Sequence, residues 1–161
     1  MRTCFFIGHR ETSRQILPSI IEAAEGLILE EQVSDFYAGG YGCFDQLAGE
    51  AIIKLKKDYP NIRLFLVLPY HPANRPVHVP PGYDDTFYPD GMEHVYPKYA
   101  IATANRKMID KCDFLIAYAR HTASNAYHFF EYAMRQEKKG RIHIENLAEK
   151  ERAQKREDAV K

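Results

Sequence analysis

Asp35–Glu50, DFYAGGYGCFDQLAGE, reads as a short strand, a glycine turn and the start of a helix. Phe36, Tyr37 and Ala38 suit a buried strand. Gly39, Gly40 and Gly42 open a turn where backbone can approach a ligand with no Cβ in the way. From Phe44 onward, Leu47, Ala48, Ala51, Ile52 and Leu55 keep the spacing of an amphipathic helix. Free amides and the positive end of the helix dipole make such a unit an anion site. The same unit is also a plain strand-to-helix connection whose glycines relieve crowding. The stretch by itself leaves both readings open.

The flanking sequence extends the alternation. Thr3–Gly8, TCFFIG, is an uninterrupted apolar run ending at glycine, as in a strand buried on both faces. Ile16, Leu17, Ile20, Ile21, Ala24, Leu27 and Ile28 mark a helix beginning between Ser13 and Leu17, with Pro18 in its first turn. Strand, helix, strand, helix is the pattern of a parallel sheet covered by helices. Arg63–Pro69, RLFLVLP, supplies a third strand, Asp113–Ala119, DFLIAYA, a fourth, and Arg141–Leu147, RIHIENL, a fifth at an edge. Helices are expected over Ala100–Lys111 and from about Ala126 to Lys139, with Gly140 at the C′ position. The expected fold class is α/β, as one domain over 1–147 with a charged solvated helix or frayed tail over 148–161. Tyr70–Tyr99, with five tyrosines and prolines at 72, 76, 80, 81, 89 and 97, shows neither period and is expected to be a long loop. Loops of that length are usually functional, so a lid or pocket wall stands beside a surface excursion or dimer contact.

Composition narrows the function. Lys plus Arg and Asp plus Glu are both 22, so no global field draws the chain to nucleic acid or an anionic membrane. Cys4, Cys43 and Cys112 form no CxxC pair, which points to a reduced, cytoplasmic protein. Cys4 and Cys112 are expected in the core, and Cys43 as a small packed side chain. The chain opens directly on a strand, with no signal-peptide pattern and no run long enough to span a membrane. Seven histidines without an HxH or HxxxH pair give no metal site, and no cofactor is expected.

In a doubly wound sheet the C-terminal strand ends share one rim. That rim would carry Gly8, His9 and Arg10, the turn of Gly39, Gly40 and Gly42, then Pro69 and Tyr70, and the Arg120–Asn125 turn with Ser124 and Asn125. Arg10 offers a planar donor fork to phosphate or carboxylate, with a salt bridge to Glu11 or Asp45 as the alternative. Asp45, in the first turn of its helix, either accepts from ribose hydroxyls or orders the loop. Asn105 and Arg106 reach the rim only if the long loop brings their helix over the pocket. Glu131 is a lone helical glutamate, usually a surface residue.

TCFFIGHRE, FYAGGYGCFDQLAGEA, LFLVLPY and ANRKMIDKCDFLIAY, in that order, resemble the successive motifs of the SLOG (Smf/DprA–LOG) superfamily, and most closely its stand-alone bacterial YpsA-like members. The resemblance spans about residues 1–147. It implies a Rossmann-like three-layer sandwich with a mainly parallel five-stranded sheet in the order 3-2-1-4-5. It implies a nucleotide or nucleotide-derived ligand, of the ADP-ribose or nucleoside monophosphate type, held by a sensor or regulator. By motif, Gly8, His9, Arg10, Gly39, Gly40, Gly42, Asp45, Pro69, Tyr70, Asn105 and Arg106 would line the site. In LOG-type phosphoribohydrolases an arginine and a glutamate after a PGGxGT turn cleave an N-glycosidic bond, so an N-glycosidase using Arg106 and Glu131 is the alternative. Here that turn reads ARHTASNAYHFFEYA, with Ser124 and Asn125 in place of the glycines and Phe129 at the glutamate position. Glu131 fits only if the turn is longer. A DprA-like single-stranded DNA module is the weakest reading, given zero net charge. A homodimer is implied by resemblance alone.

Overall fold

The computed structural model describes residues 1–160. Its centre is strand β1, Arg2–Gly8, whose apolar run needs cover on both sides. Cys4 and Phe6 face one core, Phe5 and Ile7 the other. Helices α1 (Leu17–Glu31) and α2 (Cys43–Leu55) cover the first face, alternating with β2 (Val33–Ala38) and β3 (Arg63–Val67). Helices α3 (Ala100–Lys111) and α4 (Asn125–Lys138) cover the second, around β5 (Phe114–Tyr118). The result is an α/β sandwich of the Rossmann-like kind.

With β4 (Asp85–Phe87) and β6 (His143–Asn146), the sheet has six strands among the described residues, all parallel, in the order β4-β3-β2-β1-β5-β6. This corrects the expected five-stranded sheet of order 3-2-1-4-5, since a sixth strand lies beyond β3. The additional strand is β4, Asp85–Phe87, inside the segment expected to be a loop. Three residues carry no readable alternation, so β4 is set by its neighbours. The Asp84 carboxylate accepts from the Leu64 amide at 2.8 Å and from the Lys56 ammonium at 2.6 Å. The Leu68 amide donates to the Phe87 carbonyl at 2.8 Å. The rest of Tyr70–Tyr99 also has structure. Short 3₁₀ turns lie at Met92–His94 and Pro97–Tyr99, and Met92 packs on Ala100 and Ala104.

The expected edge strand appears as β6, His143–Asn146, and leads into helix α5, Leu147–Val160. Leu147 and Ala148 are buried in the first core. Asn146, also buried, ties the junction: its Oδ1 accepts from the amides of Ala119 and Ala148 at 3.2 and 3.1 Å. Cys4 and Cys112 are buried as expected. Cys43 is exposed, correcting the packed reading, because the first position of α2 points out of the turn. None of the described helices is long and apolar enough to cross a membrane.

The strand order turns around between β1 and β5, where consecutive connections leave in opposite directions. Ligand crevices form outside the C-terminal ends of strands at such a reversal.

Candidate functional site

A cleft of about 620 Å³ opens at that reversal. Gly8, His9 and Arg10 form its floor beside Gly39 and Asp45, and Pro69 closes the β3 end. Asn105 and Arg106 of α3 form one wall, and Ser124 and Asn125 at the start of α4 the other. Residues from five separate segments therefore meet at one cleft. Gly40 and Tyr70 lie instead on an adjoining hollow of about 410 Å³. Gly42 lines neither.

Gly8, at the end of β1, and Gly42, in the α2 turn, each have a steric role. A Cβ on Gly8 would lie 2.1 Å from the Phe44 ring, so this glycine lets α2 sit against β1. Gly42 has φ +121°, and a Cβ there would lie 2.9 Å from the Arg10 Cα. The close approach puts the Arg10 and His9 carbonyls over the end of α2. They accept from the amides of Cys43 and Phe44 at 2.8 and 3.4 Å. The first two amides of α2 are thus already satisfied. The Tyr41 amide, also in this turn, donates to Asp45 Oδ2 at 3.0 Å.

Helix α4 presents the opposite arrangement. Ser124 caps it, its Oγ accepting from the Tyr127 amide at 3.1 Å and donating to the His121 carbonyl at 2.7 Å. Among the described residues, no turn or cap hydrogen bond is donated by the amides of Asn125 or Ala126. Both residues line the cleft, and the first turn of α4 holds no acidic residue. This is the helix end left open to an anion.

Arg10, Lys98 and Arg106 add positive charge around the same space. All three are exposed, and none forms an ion pair among the described residues, including the Arg10 pairs considered from sequence. Lys98 had no signal as part of a loop. Its spacing from Ala102, Asn105 and Arg106 (i, i+4, i+7, i+8) marks one helix face, extended backward through the 3₁₀ turn at Pro97–Tyr99. His128 and Phe129 also line the cleft.

Asp45 is the one carboxylate among the described residues lining the cleft. Burial pushes its pKa up to about 7, opposed by the hydrogen bond from the Tyr41 amide. His9 accepts at Nε2 from the Arg120 amide, 2.8 Å away. Burial, then the nearby His121 and Arg120, lower its pKa and so favour the neutral ring. Glu131 is outside the cleft, its carboxylate 4.0 Å from Nδ1 of His128. The pair Arg106 and Glu131 is therefore not assembled here. Phe129, at the position of the glutamate in the resemblance, lines the cleft instead.

The adjoining hollow shares Gly39, Tyr41, Val67 and Pro69 with the cleft but has a different character. Tyr41, Tyr70, Tyr83, Pro76, Val77 and Pro80 surround it. The Arg75 guanidinium stacks on the Tyr70 ring, 3.7 Å from its centroid, and the Tyr70 hydroxyl donates to the Pro97 carbonyl at 3.2 Å. Among the described residues, no group of three or more His, Cys, Asp or Glu is placed to hold a metal ion. No family model and no curated protein matches the chain.

Proposed function

We propose that the protein binds a nucleotide or nucleotide-derived ligand across these two compartments and acts as a sensor or regulator. The observation that carries this reading is the pairing of a cationic cleft with an aromatic hollow through a shared wall. Phosphate would lie against the Asn125 and Ala126 amides, within reach of Arg10, Lys98 and Arg106. The base would lie in the hollow between Tyr41, Tyr70 and Tyr83, where π-faces favour a flat ring. Asp45, between the two, would accept from or donate to a ribose hydroxyl according to its protonation. Cleavage of an N-glycosidic bond draws no support from Glu131, which stands outside the cleft.

Calorimetric titration with AMP and with ADP-ribose tests this. Micromolar binding of at least one is expected, weakened roughly 10- to 100-fold by Arg106→Ala or Arg10→Ala, the range for a charge-assisted hydrogen bond. Glu131→Gln should leave affinity unchanged. Failure of both probes to bind more tightly than millimolar would overturn the proposal.

A further inference from the structure

We infer that Glu151 and Arg152 of α5 are positioning residues for the cleft, holding the turn after β5 so that His9 presents a single imidazole tautomer to a ligand. The consequence for ligand binding rests on the function proposed above; the tautomer itself does not.

The chain of contacts runs from one face of the sheet to the rim. Arg152 donates from Nη2 to the Arg120 carbonyl at 3.0 Å. The amide of the same Arg120 donates to Nε2 of His9 at 2.8 Å. The Tyr118 hydroxyl, two residues back at the end of β5, donates to the Glu151 carboxylate at 3.0 Å and accepts from Arg120 Nη1 at 3.4 Å. The Tyr118 ring meets His9 edge-on, with centroids 5.7 Å apart. Both carbonyl and amide of the turn residue are thus committed, one to α5 and one to His9. Exposed turns seldom hold a residue this firmly without such partners.

The bond at Nε2 has a chemical result. A neutral imidazole that accepts at Nε2 must carry its proton on Nδ1. His9 then offers the cleft a donor of fixed identity, whereas an unrestrained ring exchanges tautomers. Protonation would bring two N–H groups face to face at Nε2. His121 and Arg120, across the turn, act in the same sense. Arg10 follows the ring in the chain. Asp45 and His128 share the cleft with it. α5 is therefore part of the site's support.

¹⁵N NMR of the His9 imidazole over pH tests this on the whole protein. The expected result is an Nδ1–H tautomer with a pKa below that of free histidine. Arg152→Ala and the double variant Glu151→Ala/Arg152→Ala should mix the tautomers and raise the pKa toward 6.5. Arg152→Lys, which can still donate to one carbonyl, should restore the native spectrum. AMP affinity of Arg152→Ala should fall roughly three- to tenfold, the range for mutations coupled to a site without touching its ligand. An Nε2–H tautomer in the unmodified protein, or an unaltered His9 spectrum in the double variant, would overturn the inference. A changed spectrum in a protein that binds neither AMP nor ADP-ribose would uphold the positioning and remove the nucleotide reading.

Discussion

The Cys43 amide donates to the Arg10 carbonyl oxygen at 2.8 Å, directly over the N-terminus of α2. A carbonyl there meets the positive end of the helix dipole with its own partial negative charge. An incoming phosphate would have to displace it. Helix α4 lies across the same cleft with its first amides open and no carboxylate in its first turn. Two helix ends face one space, and the chain has neutralised one of them.

A proline at position 125 should separate these roles. Ser124 is extended, with ψ 157°, so it accepts a following proline without strain, and Asn125 is the first residue of α4. Asn125→Pro removes one amide donor while the helix remains. AMP should bind roughly tenfold more weakly, with a thermal midpoint within a few degrees of the unmodified protein. Asn125→Ala, which keeps the amide, should bind nearly as well. Equal affinity for both variants, measured by calorimetry, would place the phosphate elsewhere.

Asp45 gives stability a pH dependence of a definite sign. Its pKa is raised in the folded protein to about 7 from 3.8, so folding favours the protonated acid. The stabilisation is complete below pH 3.8 and is lost as pH rises through about 7. With partial solvent access discounted, the loss should be about 2 kcal/mol. Asp45→Asn should abolish that slope and leave the variant the more stable protein at pH 8. His9 acts in the opposite sense: its lowered pKa means stability present above 6.5 and lost as pH falls through the folded value. Denaturant melts at pH 4, 6 and 8 read both. A variant that follows the unmodified protein at all three would show that Asp45 ionises freely.

Sequence pattern went far where burial sets the pattern. β1 and β5 are covered on both faces, and their continuous apolar runs announce it. β4 was not legible, because a three-residue edge strand is fixed by Asp84 reaching Leu64 and Lys56, partners distant in sequence. The glycine motif was legible as a turn joining β2 to α2. Nothing in GGYG reveals that carbonyls of the β1 turn will cap α2. For α5 the pattern left a solvated helix and a frayed tail open, since all but its first two residues lie outside the core; the structure has the helix. Its anchoring depends on Asn146 and on two bonds from Glu151 and Arg152, which charge patterning cannot distinguish from surface pairs.

The glycines provide a closing test of which turn residues the fold requires. At Gly8 a methyl group would enter the Phe44 ring, 2.1 Å from Cγ, between β1 and α2. Gly8→Ala should destabilise by about 3 kcal/mol, at the upper end for overpacking a tight core, and should loosen the Arg10 turn with it. Gly42→Ala meets backbone at Arg10 and strains a φ of +121°, so its cost should be comparable. Gly26 offers the contrast. It lies within α1, and a Cβ there meets nothing within 4 Å. Gly26→Ala should therefore stabilise by roughly 0.5–1 kcal/mol through helix propensity alone. Urea unfolding of the three variants should give this order. A neutral Gly8→Ala would mean that α2 can move off β1, and that the carbonyl cap on its N-terminus opens easily enough to readmit an anion there.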